Sequence, residues 1–321
     1  MVRLPEGKLR MRLLVAYTPL SVIVLIALWA SLLVLGFASV IFGLGLPFKL
    51  AAHPHFWDCL YFSGVTFFTL GFGDLTPATQ LGQFISVAEA ATGFGFLAIV
   101  IGYVPVLYGA VSRRELKIVM LDSKAGSNPT ATELLCRYAS FGVLPDLHAL
   151  LYDWEKGSAE MLESFLAYPM VAYYRSQHDD QSWLESLTAV MDACVLIEAY
   201  LPVSEQWQRS LKFQAKSTFA MARHVIVDLA YVISQPPLKS LPLRLSSEAK
   251  SEMLRRITES GFPVTISDDA HARFLELRKL YEPFVAALAI DMLLHIPEWI
   301  QWSPGPDNWQ TSAWDEAPKH F

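Results

Sequence analysis

Thr69-Leu70-Gly71-Phe72-Gly73-Asp74 decides how the rest of this 321-residue chain is read. Glycine at alternate positions opens backbone angles that a Cβ closes. With Gly71 and Gly73 in those angles, backbone carbonyls can point inward and stack in a column. Such a column replaces the water shell of a dehydrated ion. Thr69 adds a hydroxyl oxygen at the inner end. Leu70 and Phe72 turn outward and wedge against surrounding protein, and Asp74 closes the run with a carboxylate at the mouth.

The surroundings are those of a membrane protein. Hydrophobic residues make up 53% of the chain and mean hydropathy is +0.33, too apolar for an ordinary soluble protein of this length. Leu13–Phe42 carries no charged residue and exceeds the ~20 residues that a spanning helix requires. Phe84–Val111 is a second apolar stretch, interrupted only by Glu89. Between them, Phe56–Phe68 spans about three turns, too short to cross, and runs directly into the glycines. Long helix, short helix, glycine hairpin, long helix is the order of a re-entrant loop. Irregular backbone at membrane depth is tolerated only where it is buried in protein or lines a watery cavity. A lone copy would leave its carbonyls unsatisfied in lipid, so several copies must surround one axis.

Arg3, Lys8, Arg10 and Arg12 precede the first stretch like the basic region of a signal peptide. The apolar run is far longer than a signal core of roughly 7–15 residues, so a retained helix is expected. Arg113, Arg114 and Lys117 follow the second stretch, and only Lys49 lies between the two. The bias of basic residues toward the inside places both termini in the cytoplasm. The expected location is the plasma membrane, as a multi-pass protein in a lipid bilayer.

The glycine run resembles the signature of two-transmembrane, one-pore-loop potassium channels, whose filter loops read TVGYG. Leu70 stands for the usual Val or Ile and Phe72 for the commoner Tyr. The resemblance covers residues 13–114. It implies a selectivity filter made by Thr69, Leu70, Gly71, Phe72 and Gly73, with K+ held at the carbonyls of Thr69, Leu70, Gly71 and Phe72. It implies a homotetramer, because one filter per chain needs four chains to close a ring. Asp58-Cys59-Leu60-Tyr61-Phe62-Ser63 is similar to the start of the family's pore helix, with Trp57 as an interfacial anchor. Trp57, Tyr61, Asp74 and Glu89 are the expected filter supports. Gly82 begins the inner helix. An ungapped register puts Gly93 at the family's hinge and turns Phe94, Leu97, Ile101 and Pro105 toward the conduction path. Pro105 removes a helical hydrogen bond and marks a second bend. Ordinary packing by a small residue is the alternative for Gly93.

There are departures from the family. Val65 stands where many relatives carry a pore-helix carboxylate paired with the aspartate after the filter, so Asp74 lacks that partner. Phe72 lacks the phenol hydroxyl, and Phe68 replaces a small hydroxyl residue. Glu89 is an ionisable group inside a span, costly there and functional by default. It either braces the filter from behind or hydrogen-bonds a neighbouring helix. No helix carries arginines at every third position, which excludes a voltage sensor. No Gly-x-Gly-x-x-Gly follows a strand, which argues against a nucleotide-binding domain.

Residues 115–321 are chemically different. They hold 27 of the 31 acidic and 18 of the 25 basic residues, a balance of −9. That balance argues against nucleic acid as a partner. The pattern is helical near 130–142, 144–155, 158–176, 182–201, 204–234, 246–260 and 268–296. Thr130-x-x-Glu133 and Ser182-x-x-Glu185 read as capping boxes, and Ser158, Ser204 and Ser267 as caps. Cys59, Cys136 and Cys194 are far apart and lack metal spacing. No Glu-x-x-His motif of a di-metal bundle occurs, and no enzyme reading emerges.

The fold class expected is all-α. A cytoplasmic N-terminus (1–12) leads to a membrane pore module of outer helix, re-entrant pore helix with filter, and inner helix (13–114). A helical cytoplasmic domain (115–303) and a loosely ordered tail (304–321) follow. The function expected is passive, potassium-selective conduction without cofactor, gated at the inner helix by the cytoplasmic domain, with an unidentified cytoplasmic ligand or ion left open. A weakly selective cation pore is one alternative. A non-conducting membrane anchor for a sensor or scaffold is the other.

Overall fold

The structure, a computed structural model, describes residues 8–176, 181–240 and 244–302. The tail expected from residue 304 lies outside them, as do the first seven residues of the expected N-terminal segment. The described residues are helical, with isolated bridges from Phe48 to Ala51 and Pro77 as the sole strand-like pairings among them. The chain divides into two compact units at Gly109 and Ala110, a few residues before the boundary expected from charge.

The first unit holds α1 (Lys8–Gly43), α2 (Phe56–Phe67) and the larger part of α3 (Gln80–Ala125). Leu20–Gly43 and Gln80–Ala125 are long and apolar enough to cross a membrane, and only 17% of each apolar window is buried within the chain. A core helix of a soluble protein would be mostly covered, so this apolar surface needs lipid or other copies around it. The short α2 starts where the Asp58 carboxylate accepts the backbone N–H of His55 at 2.8 Å, a negative group in the first turn of a helix. Between α1 and α2 the chain folds back as a compact cap. Ala38 and Ile41 of α1 pack with Leu46, Phe48, Cys59 and Phe62. The Phe48 and Phe62 ring centroids are 4.8 Å apart. Lys49 N–H donates to Thr76 O and Ala78 N–H to Pro47 O, which ties this cap to the segment leaving the glycine run.

The second unit is a helical bundle around α6 (Trp183–Tyr200), which is buried almost throughout. Covered on nearly all sides, α6 is a core helix. It packs against α4 (Ala131–Ser140), α7 (Gln206–Val232) and α9 (Asp268–Lys279), while α5 (Leu147–Ala167) lies along α7. Thr130, Ser182 and Ser267 cap as expected, each accepting the backbone N–H three residues on. Three other boundaries differ from the expectation. The helices read at 144–155 and 158–176 merge at their junction into one helix, α5, with short 3-10 turns at Leu144–Asp146 before it and Pro169–Tyr173 after it. Ser158 lies inside it, bonding back to Trp154 O at 2.7 Å rather than capping. The run read as 268–296 breaks into α9 and α10 (Glu282–Met292), because Pro283 in the first turn of α10 has no N–H to continue a ladder. Ser204 does not cap α7 either. Glu205 holds that place, and the Gln208 side chain accepts from both backbone N–H groups, at 2.8 and 2.9 Å.

A buried ionic network joins distant parts of this unit. Asp192 of α6 accepts Arg244 at 2.6 Å and the Tyr281 hydroxyl. Arg244 also reaches Glu282 at 3.0 Å and the Pro297 carbonyl at 2.8 Å, and Glu282 accepts Arg278 at 3.0 Å. The carboxylate of Asp192 overcomes burial and holds Arg244 firmly protonated, while burial pushes the Tyr281 hydroxyl well above its ordinary range. Removing one member of such a group strands a buried charge, which costs about 3–5 kcal/mol. Arg244→Met is expected to lower the unfolding free energy of the second unit by that amount in denaturant titration. A change within about 0.5 kcal/mol, as for an ordinary surface site, contradicts the assignment.

Candidate functional site

The glycine run leaves α2 through a short turn. Thr69 N–H donates to Thr66 O at 3.0 Å and Leu70 N–H to Val65 O at 2.8 Å, the last backbone bonds of that helix. From there the backbone alternates. Thr69, Gly71 and Gly73 have φ of 57°, 61° and 81°, while Leu70 and Phe72 are not among the positive-φ residues. Left-handed angles thus fall at every second residue of the run. Among the described residues, no hydrogen bond is accepted by the carbonyls of residues 69–73. Within the described residues, five successive carbonyl oxygens are left without a donor.

Thr69 is the unexpected member of the alternation. A β-branched residue at positive φ is a genuine outlier, and such strain costs of order 1–3 kcal/mol and gathers at functional sites. Glycine spacing identified residues 71 and 73; nothing in the type of Thr69 marks it as left-handed. Leu70 and Phe72 are 57% and 66% exposed, so within one chain the expected outward wedges have nothing to press against.

Two side-chain contacts flank the loop. On the Asp74 side, the Tyr61 hydroxyl of α2 donates to Asp74 Oδ2 at 2.9 Å. Tyr61 lies one turn before Val65, so the aspartate that lacks a carboxylate partner is held by a phenol instead. The second contact involves Glu89, which is fully buried. Its Oε1 is hydrogen-bonded to the Ser63 hydroxyl, which also reaches Val34 O at 2.8 Å. Glu89 thus touches α2, and through Ser63 all three helices of the first unit meet. Ser63 had no place among the expected support residues; a lone serine in an apolar helix carries no signal of its own. Trp57 is exposed at the start of α2, its ring 6.3 Å from that of Phe56.

Gly93 sits where α3 passes closest to the end of α2. A Cβ there would run into the backbone carbonyl of Phe67, two residues before Thr69. The Phe67 and Phe96 rings meet at a tilt beside this crossing with centroids 5.8 Å apart. The absence of a side chain at Gly93 is what lets α3 lie against the base of the loop. Phe94, Leu97 and Ile101 are exposed on α3, and Pro105 lies within that same helix. No cluster of three or more His, Cys, Asp or Glu able to hold a metal occurs among the described residues.

Comparison with known proteins agrees with this geometry. Residues 22–107 match the family described as "Ion channel", a stretch that contains α2, the glycine loop and Gly93. Over 157 residues the chain is 27% identical to "Uncharacterized membrane protein YdjJ" of Bacillus subtilis, covering 48% of this chain and 44% of that protein. Over 44 residues it is 46% identical to "Two pore potassium channel c" of Oryza sativa, covering 14% of this chain and 10% of that protein. The chain spans less than half the length of these curated relatives. No solved structure matches it. Residues 22–107 are thus similar to the ion-channel family, two helices are long and apolar enough to cross a membrane, and the match leaves the helical second unit outside it.

Gly93→Ala is expected to force α3 away from Phe67, with an overpacking cost of about 1–3 kcal/mol. The thermal midpoint of the detergent-solubilised protein should fall accordingly. A midpoint equal to that of the parent would show that the crossing has room to spare.

Proposed function

We propose that the protein is a potassium-selective channel in which four copies bring their glycine loops around one axis. The observation that carries this reading is the alternating left-handed backbone at Thr69, Gly71 and Gly73, with unpaired carbonyls from residue 69 to residue 73. Carbonyls at membrane depth need a partner, and rings of carbonyls in place of a hydration shell are the means by which potassium filters coordinate their ion. Thr69, Leu70, Gly71, Phe72 and Gly73 form the filter, and K+ is held by the carbonyls of Thr69, Leu70, Gly71 and Phe72. Fourfold assembly also gives the exposed Leu70 and Phe72 side chains neighbouring protein to wedge against. The likeness of a short segment to a protein named as a potassium channel supports the choice of ion.

Tyr61 and Asp74 hold the outer end of the filter, Trp57 anchors the pore helix at the interface, and Glu89 braces that helix from behind. Phe94, Leu97, Ile101 and Pro105 line the path below, with both chain termini in the cytoplasm of a plasma-membrane protein. Conduction is passive and uses no cofactor. The second unit steadies or gates the pore. In support, α3 continues without a break to Ala125, with no glycine linker before Gly126, so movement of its far end is transmitted along a helix.

Gly71→Ala tests the filter directly. A Cβ at φ +61° costs about 1–2 kcal/mol, and relief of that strain swings a carbonyl out of the column. The variant should insert and assemble as the parent does and lose potassium flux in reconstituted vesicles. Parent-like, potassium-selective flux from it would sink the filter assignment.

A further inference from the structure

Ser63 and Glu89 meet inside the first unit, both fully buried, and the protons between them can be counted. Ser63 Oγ lies in hydrogen-bond contact with two oxygens, Glu89 Oε1 of α3 and, at 2.8 Å, Val34 O of α1. Oxygens at such a distance repel unless a proton lies between them, so each contact needs a proton of its own. A serine hydroxyl supplies one. A backbone carbonyl can only accept, so the Ser63 proton goes to Val34 O. The proton in the second contact must then come from Glu89.

The surroundings of the carboxyl group agree with that count. Glu89 Oε2 is buried and has no hydrogen-bond partner among the described residues. Between Leu13 and Ser112 the only basic side chains are Lys49, His53 and His55, all in the connection from α1 to α2, so no helix offers a cation. Asp58 and Asp74, the other acids of that stretch, are engaged elsewhere, with the His55 N–H and the Tyr61 hydroxyl. An ionised carboxylate buried without a cation is far costlier than an acid that gives its proton to a hydroxyl.

We infer that Glu89 is a neutral carboxylic acid whose proton is a structural part of the first unit: it donates to Ser63, Ser63 donates to Val34 O, and this directed chain of two hydrogen bonds ties α3, α2 and α1 together. Glu89 is thereby a positioning residue for α2, the helix that delivers the glycine loop, and it sets no fixed charge in the span. The inference gives chemistry to the brace proposed above. It rests on contacts within one chain and holds whether or not the loop conducts potassium.

Infrared difference spectroscopy of the full-length protein in lipid membranes at neutral pH tests it. Subtracting the Glu89→Gln spectrum from that of the parent should leave the carbonyl-stretch band of a protonated carboxylic acid, moved to lower frequency in D2O. Ser63→Ala keeps the acid and removes its acceptor, so the band should persist at higher frequency. A difference spectrum with ionised carboxylate bands and no acid band overturns the inference, and so does an acid band that Ser63→Ala leaves in place. Should Glu89→Gln fail to insert, parent and Ser63→Ala decide alone: an acid band that shifts between them upholds the chain, and none that shifts overturns it. Potassium flux through the same membranes is read separately. A shifting acid band without flux upholds the hydrogen-bond chain and overturns the channel reading.

Discussion

Backbone carbonyls that no donor satisfies are the constraint on which the first unit depends. At membrane depth each costs several kcal/mol unless an ion, water or protein answers it. Residues 69–73 leave five in succession, and the surrounding parts follow from that. The pore helix ends early, at Phe67, to deliver the loop. The inner helix gives up a side chain at Gly93 to reach the carbonyl of Phe67. Large apolar side chains at 70 and 72 stay uncovered in one chain. The proposed filter, with an ion on the axis and copies around it, would resolve all of these together.

Magnitudes show why the loop has several supports. Left-handed Thr69 alone stores of order 1–3 kcal/mol. One hydrogen bond returns about 0.5–1.5 kcal/mol, or 1.5–3 kcal/mol with a charged partner. Neither the Tyr61–Asp74 bond nor the Glu89–Ser63 contact is enough by itself to hold the strained backbone with margin. The two contacts act at different places, one at the carboxylate that ends the run and one behind the pore helix. Packing of Phe67 against Phe96 adds a third. Loss of one support should therefore loosen the loop more readily than unfold the unit.

Much of the site was legible in the sequence because it obeys local rules. Gly71 and Gly73 mark their own conformation, and hydropathy alone brackets the loop between two long apolar helices. The caps at Thr130, Ser182 and Ser267 are likewise written in three-residue spacings. What escaped reading depends on contacts between distant segments. The left-handed Thr69 follows from its neighbours and not from its type, and Gly93 shows a close approach only once Phe67 is beside it. In the second unit, Ser158 looked like a cap until α5 proved continuous, and Pro283 split a run whose apolar pattern was unbroken. The link from Arg244 to Asp192 spans 52 residues, and no periodicity announces it.

The central claim is that the glycine loops form a filter for dehydrated potassium. Its most direct test is the reversal potential of the purified full-length protein in planar bilayers, with potassium on one side and sodium on the other. The account predicts a reversal far toward the potassium equilibrium potential, carried by a protein that runs as a tetramer. A reversal near zero with robust current would contradict it, since a pore that passes both ions alike has no fitted column of carbonyls at 69–73.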